Sequence, residues 1–133
     1  MNKKSIWVVD DDAIYQIIIG KLIQKAGCFS SHSSFPNGKE ALNALKKITD
    51  DNETNLLPNI ILLDINMPIM DGWEFMEEIK ELKSNITKHI HIYIVSSSIS
   101  VEDKNKAKTF TDIMGYIPKP ITVDELISVV LEE

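Results

Sequence analysis

Short apolar runs alternate with segments of helical periodicity along the chain, and this alternation most constrains the fold. The third run, Ile60–Leu63, is typical of a strand buried on both faces because its four consecutive residues are all apolar. The predicted strands are Ser5–Val9, Phe29–Ser34, Ile60–Leu63, Ile90–Val95 and Ile113–Ile117. Five strands alternating with five helices in 133 residues predict one α/β domain, a parallel sheet with helices on both faces.

Apolar residues three and four positions apart predict the helices between these strands. The first helix is expected to begin after an N-cap at Asp12 and to end at Gly27, a favoured C-cap residue. Thr122, with Glu125 three residues later, predicts a capping box before the last helix. The expected buried residues are Ile14, Ile17, Ile18 and Leu22, with Ile23 beside them, in the first helix; Ala41, Leu42, Leu45 and Ile48 in the second; Trp73, Met76, Ile79 and Leu82 in the third; and Leu126, Ile127, Val130 and Leu131 in the fifth.

Two segments carry weaker signals. Val101–Phe110 is mostly charged, which predicts only a weakly amphipathic fourth helix. Thr49–Leu57 is polar and acidic, and we expect it to form a loop without a role in the core.

Charge, hydropathy and cysteine content exclude several kinds of partner and location. A formal net charge of -6 at pH 7 argues against a nucleic-acid surface, which requires clustered basic residues. No apolar run approaches the roughly 20 residues needed to cross a membrane, and we expect no signal peptide because a strand follows Met1–Lys4 directly. Cys28 is the only cysteine, so the chain has no internal disulfide and the cytoplasm is the expected location.

Polar side chains follow four of the five predicted strands. Because parallel strands end at the same edge of a sheet, we expect these side chains to lie close together at a ligand-binding edge. They are Asp10, Asp11 and Asp12 after the first strand, Asp64 after the third, Ser96 after the fourth and Lys119 after the fifth.

The acids at this edge predict a cation. Carboxylates held together repel one another, and Lys119 supplies only one positive charge against them. Mg²⁺ suits one to three carboxylates completed by water and a phosphate oxygen, whereas the cysteine and histidine clusters of a zinc site are absent from the sequence. We therefore expect a magnesium site.

A carboxylate beside Mg²⁺, a hydroxyl and a lysine is a phosphoryl acceptor. In this interpretation Asp64 attacks phosphorus and becomes an aspartyl phosphate. Lys119 neutralises charge on the transferred group, and Ser96 donates a hydrogen bond to a phosphoryl oxygen.

Four short blocks stand in order at the ends of the predicted strands. They are Val8-Val9-Asp10-Asp11, Asp64-x-x-Met67-Pro68-x-Met70-Asp71-Gly72, Val95-Ser96 and Lys119-Pro120. Together they resemble the receiver domain of two-component response regulators, and especially stand-alone chemotaxis regulators. The resemblance implies a flavodoxin-like three-layer sandwich with strand order 2-1-3-4-5, in a single receiver domain spanning 1–133 without an output domain.

The same resemblance implies roles for individual residues. Asp64 would receive its phosphoryl group from a sensor histidine kinase or a histidine phosphotransfer protein. Mg²⁺ would be held by Asp10, Asp11, Asp64 and the backbone carbonyl of Asn66, with Asp11 as the more direct ligand. Because Asp12 follows directly, Asp11 and Asp12 are a possible alternative pair; we prefer Asp10 and Asp11, which come immediately after the strand.

The resemblance also implies how the signal leaves the domain. Lys119 would pair with the phosphoryl group, and Ser96 and Tyr116 would act as the conformational switch. A downstream protein would then bind the face formed by helix 4, strand 5 and helix 5. Catalysis would be limited to self-phosphorylation and slow dephosphorylation, so the chain is not expected to be an enzyme in the ordinary sense.

Two other classes share parts of this pattern. Asp10-x-Asp12 resembles the paired acids of haloacid-dehalogenase-type phosphatases, with Asp10 as the nucleophile, but the residue expected after that motif is one position out of register at Ile14. A flavodoxin would share the sheet order, yet acids after the first strand would repel the phosphate of its cofactor.

Overall fold

A five-stranded parallel sheet forms the centre of the chain. A computed structural model describes residues 3–82 and 89–131. The strands lie in the order β2-β1-β3-β4-β5, which confirms the predicted fold. They are β1 (Lys4–Val9), β2 (Phe29–Phe35), β3 (Ile60–Leu63), β4 (His91–Ser96) and β5 (Ile113–Pro118). The α-helices of the described ranges are α1 (Ala13–Ala26), α2 (Gly38–Asp50), α3 (Gly72–Ile79), α4 (Val101–Ala107) and α5 (Val123–Leu131).

The sheet separates two apolar cores. Alternate residues of β3 enter opposite layers: Ile61 and Leu63 face one core, and Ile60 and Leu62 face the other. Helices α2, α3 and α4 contribute buried residues to the first core, and α1 and α5 contribute to the second. All four β3 side chains are buried, which confirms the prediction of a strand covered on both faces.

The predicted inward face of α1 is wrong at Ile14, Ile17 and Ile18, and it is confirmed at Ile23 and in part at Leu22, which packs against the core. Ile14, Ile17 and Ile18 are 71%, 61% and 50% exposed, whereas Ile19 and Ile23 are buried. The rotation of α1 has a polar cause. The Gln16 side-chain nitrogen (Nε2) donates hydrogen bonds to three backbone carbonyls near the ends of β1 and β2. These belong to Val8 in β1, to Asp10 just after β1 and to Phe35 in β2, at 3.1, 3.0 and 3.3 Å. Because residues 16, 19 and 23 lie on one side of a helix, these hydrogen bonds direct Ile19 and Ile23 inward.

Three smaller expectations were also wrong. The segment predicted as the loop Thr49–Leu57 contains the end of α2 and a 3₁₀ turn at Thr54–Leu56, and Leu57 packs against the core. In α5 the second fully buried residue is Val129, whereas Leu131 is 76% exposed. Helix α4 ends at Ala107, three residues earlier than predicted.

The predicted helix caps are confirmed. The Asp12 carboxylate accepts from the backbone nitrogens of Ile14 and Tyr15, and Gly27 ends α1 in the left-handed conformation at φ 70°. Thr122 and Glu125 exchange the two hydrogen bonds of a capping box, at 2.9 and 3.1 Å. The described helices include none that is long and apolar enough to span a bilayer.

The loop after β3 is held close to the strand end by Gly72. Its backbone nitrogen donates to the carbonyl of Ile65 at 2.8 Å. A Cβ at this position would lie 2.5 Å from the carbonyl oxygen of Asp64, closer than any side chain tolerates. Gly72 therefore allows α3 to begin directly against the residue that carries the central carboxylate.

Candidate functional site

Three carboxylates meet where β1 and β3 end. These strands are neighbours, with Val9 opposite Leu63, and the backbone nitrogen of Asp64 donates to the carbonyl of Val9 at 2.9 Å. One oxygen from each of Asp10, Asp11 and Asp64 lies within 4.8 Å of the others. Asp10 and Asp64 are 2% and 7% exposed, while Asp11 is open to solvent.

Lys119 reaches this acidic cluster from the end of β5. Its ammonium nitrogen (Nζ) lies 2.6 Å from Oδ2 of Asp10 and 3.7 Å from Oδ2 of Asp64. The Lys119 backbone nitrogen donates to the carbonyl of Ser96 at 2.9 Å, and a cis peptide bond follows before Pro120. The ammonium is thus an ion-pair partner of Asp10 first and a more distant neighbour of Asp64.

The surroundings of the Asp64 side chain disfavour its ionised form. Burial and the nearby Asp10 carboxylate raise the pKa of Asp64 to about 6, against an ordinary value of 3.8. The Lys119 ammonium and the backbone N–H of Ile65, which donates to Asp64 Oδ1 at 2.8 Å, lower this pKa but do not offset the first two effects. An added cation would therefore favour the carboxylate form of Asp64.

The remaining predicted residues lie around this cluster at different depths. Ser96 is buried at the end of β4, and its Oγ lies 3.4 Å from the backbone nitrogen of Ser98. Asn66 is exposed in the loop two residues after Asp64. Tyr116 is 42% exposed on β5, with Nζ of Lys104 lying 5.2 Å from its ring centroid.

Asp12 lies outside the carboxylate cluster. Its Oδ1 accepts hydrogen bonds from the first turn of α1, and its backbone nitrogen donates to Oδ1 of Asp10 at 2.9 Å. The three acids in a row consequently divide into two groups. Asp10 and Asp11 join Asp64, and Asp12 caps the helix.

Tyr15 is a site residue that sequence reasoning missed. Its ring centroid lies 4.2 Å from Nζ of Lys119. Burial and the charges of Asp10 and Asp64 raise the pKa of Tyr15 above its ordinary value, so the phenol stays protonated. Its position offered a signal, because the first turn of a helix that follows Asp12 must lie beside the carboxyl ends of the strands.

The cluster has the properties that a hard divalent cation requires. All three donor groups are carboxylates, the ligand type preferred by Mg²⁺. In the part of the chain that the structure describes, these three carboxylates face one lysine ammonium, that of Lys119, and Asp11 is open to solvent. Among the described residues, Asp10, Asp11 and Asp64 therefore form a group that could hold such a cation.

The chain belongs to the response regulator receiver domain family. The family model matches residues 6–131, which is nearly the whole chain. Receiver domains are signalling domains of two-component systems, and the parallel sheet, its strand order and the acidic cluster described above agree with this membership.

Individual relatives support the same assignment. A two-component response regulator from Cytophaga hutchinsonii is 28% identical, with a TM-score of 0.85 over 99% of this chain and 100% of that one. A response regulator receiver protein from Dyadobacter fermentans is 26% identical, with a TM-score of 0.82 over 96% and 95% of the two chains. The DNA-binding transcriptional regulator NtrC of Escherichia coli is 29% identical over 98% of this chain. The chain spans about a quarter of the length of NtrC, 24%.

Proposed function

We propose that this chain is a phosphoacceptor response regulator that is switched by reversible phosphorylation of Asp64. The observation that carries the proposal is the position of the Asp64 carboxylate, which lies beside two further acids and 3.7 Å from a lysine ammonium. A buried carboxylate in this position is suited to accept a phosphoryl group, and the nearby ammonium can then neutralise part of the charge of that group. We further propose Asp64, Lys119 and Ser96 as the residues that carry out phosphoryl transfer.

In the proposed step, an Asp64 carboxylate oxygen forms a bond to phosphorus while the P–N bond of a donor phosphohistidine breaks. The imidazole leaves with the electron pair of that bond, and the product is an aspartyl phosphate. Lys119 is placed to move from its contact with Asp10 towards the new phosphoryl oxygens, since its ammonium already lies between the two carboxylates. Ser96, at the end of the neighbouring strand β4, would donate a hydrogen bond from its hydroxyl group to one of those oxygens.

Magnesium is the proposed cofactor, held by Asp10, Asp11, Asp64 and the backbone carbonyl of Asn66. When bound, it neutralises the negative charge that builds up on the transferred group. The acids of this chain hold the ion, while Asp10 also keeps Lys119 within reach of the acceptor.

A protein is the proposed phosphoryl donor, either a sensor histidine kinase or a histidine phosphotransfer protein. The exposed Ile14, Ile17 and Ile18 support this proposal, because an apolar patch of this kind is typical of a protein contact. Ile17 lines a surface cavity together with Asp10 and Asp11, so a protein seated there would lie next to the acceptor. We propose the cytoplasm as the location because Cys28, the one cysteine, is free.

The proposed output is a change on the face formed by α4, β5 and α5. Helix α4 has one fully buried residue, Ala107, in its seven residues, which suits a helix that shifts at low cost. Tyr116 lies between two surface cavities, one against α4 and one against α5. Ser96 and Tyr116 would move together when the phosphoryl group arrives, and a downstream protein would bind the altered face.

Phosphorylation of purified protein tests the proposal. With acetyl phosphate and Mg²⁺, we expect intact-mass measurement to show one added phosphoryl group on the wild type and none on Asp64→Asn. Asp12→Asn is the matched control, since asparagine also caps helices, and it should be labelled like the wild type. Equal labelling of the wild type and Asp64→Asn would rule out the proposed acceptor.

The alternative phosphatase with Asp10 as nucleophile has weaker support. The second acid of its motif would be Asp12, whose Oδ1 already accepts two backbone hydrogen bonds at the start of α1. Sustained turnover of p-nitrophenyl phosphate that is lost in Asp10→Asn would favour this alternative over the proposed switch.

A further inference from the structure

Tyr15 contacts Lys119, the lysine that forms ion pairs with the acidic cluster. Its position is fixed from both ends: its backbone nitrogen donates to Oδ1 of Asp12 at 3.0 Å, and its ring centroid lies 4.2 Å from Nζ of Lys119. The face of an aromatic ring carries partial negative charge and attracts an ammonium group at this distance. Nζ therefore has three neighbours that favour its charge: Asp10, Asp64 and the Tyr15 ring.

The ammonium that this ring contacts belongs to a side chain with little access to water. The Lys119 side chain is only 16% exposed, although lysine is ordinarily one of the most exposed residue types. An ammonium that has lost water but is surrounded by negative groups interacts more strongly with a phosphoryl oxygen than a hydrated one does. The Tyr15 hydroxyl is buried and has no hydrogen-bond partner among residues 3–82 and 89–131. The side chain therefore acts on Lys119 through its ring and not through its hydroxyl.

We propose that Tyr15 is a positioning residue for phosphoryl transfer, and that its ring holds the Lys119 ammonium between Asp10 and Asp64. The proposal rests on the proposed function of Asp64 as acceptor and adds a residue to it. The ring acts on Lys119 and makes no bond to the transferred group. Its effect on the rate of phosphorylation must therefore depend on the presence of Lys119.

A double-mutant cycle measures this dependence. The initial rate of phosphorylation by acetyl phosphate with saturating Mg²⁺ is compared for the wild type, Tyr15→Leu, Lys119→Met and the double variant. A desolvated cation–π contact corresponds to about a 3- to 30-fold change in rate, and we expect Tyr15→Leu to be slower by that factor. In the Lys119→Met background the same substitution should have no further effect. Tyr15→Phe, which keeps the ring and removes the hydroxyl, should restore most of the rate.

The outcomes separate this inference from the proposed function. If the wild type is labelled on Asp64 but Tyr15→Leu slows the reaction equally in both backgrounds, Tyr15 has only a structural role and the inference is wrong. The inference is also wrong if Tyr15→Phe is as slow as Tyr15→Leu, because the hydroxyl would then be the important group. If the wild type is not phosphorylated at all, the proposed function of Asp64 is wrong, and the inference about Tyr15, which depends on it, is wrong as well.

Discussion

Lys119→Met is expected to slow the phosphorylation of Asp64 by about 100-fold or more. In group-transfer enzymes, removal of one donor that stabilises the charge of the transition state has an effect of this size. The same substitution should lower the free energy of unfolding of the metal-free protein by about 3 kcal/mol, because it leaves Asp10 buried without its ion-pair partner. Asp10 is only 2% exposed and its Oδ2 lies 2.6 Å from Nζ of Lys119, so water compensates poorly for the lost contact. Rates are measured by intact mass and stability by urea unfolding.

Adding Mg²⁺ tests whether the loss of stability in Lys119→Met comes from the lost positive charge. A divalent ion bound by Asp10, Asp11 and Asp64 would neutralise the same carboxylates, so saturating Mg²⁺ should recover a large part of the lost stability of Lys119→Met but little of the lost rate. Lys46→Met is the matched control, because Lys46 lies exposed in the middle of α2. Equal rates for Lys119→Met and the wild type would show that the ammonium takes no part in the transfer.

Asp64→Asn is expected to stabilise the metal-free protein at neutral pH by about 3 kcal/mol, since roughly 1.4 kcal/mol accompanies each unit of a pKa shift. Asp64 has its pKa raised to about 6 in the folded chain from 3.8. Between these two values the folded state binds more protons at this carboxyl than the unfolded state. The contribution of Asp64 to stability therefore falls as the pH rises from about 4 to about 6 and stays low above that range.

Urea unfolding in the presence of a chelator at several pH values measures this effect. The difference between Asp64→Asn and the wild type should grow over that pH window and should shrink when Mg²⁺ is added at pH 7.5. Asp12→Asn is the matched control, because asparagine also caps helices and Asp12 lies outside the acidic cluster. A difference between Asp64→Asn and the wild type that does not change with pH would contradict the assigned environment of Asp64.

The sheet and the acidic cluster at its edge were predictable because both follow from local pattern. The fully apolar run Ile60–Leu63 requires cover on both faces, and parallel strands bring Asp10 and Asp64 to the same edge whatever the details of packing. The helix caps were predictable for the same reason, since a cap is decided by a few adjacent residues such as Asp12 and Gly27.

The rotation of α1 was not predictable from its apolar pattern. Isoleucines occupy several sides of this helix, so the apolar pattern does not determine which side faces the core. The hydrogen bonds of Gln16, a polar residue, to carbonyls of β1, of β2 and of Asp10 after β1 favour the side with Ile19 and Ile23. Tyr15 was missed for a related reason. Its place after Asp12 indicates that it lies near the carboxyl ends of the strands, but its contact with Lys119 joins residues more than a hundred positions apart, which no spacing rule within α1 predicts.

The position of the phosphoryl group on the chain tests the central claim most directly. After phosphorylation with acetyl phosphate and Mg²⁺, borohydride reduces an aspartyl phosphate to homoserine, which peptide mass spectrometry locates. We predict homoserine at position 64 of the wild type, dependent on Mg²⁺, and at no other aspartate. Homoserine at position 10, or its absence from every position in protein that has gained a phosphoryl group, would contradict the account.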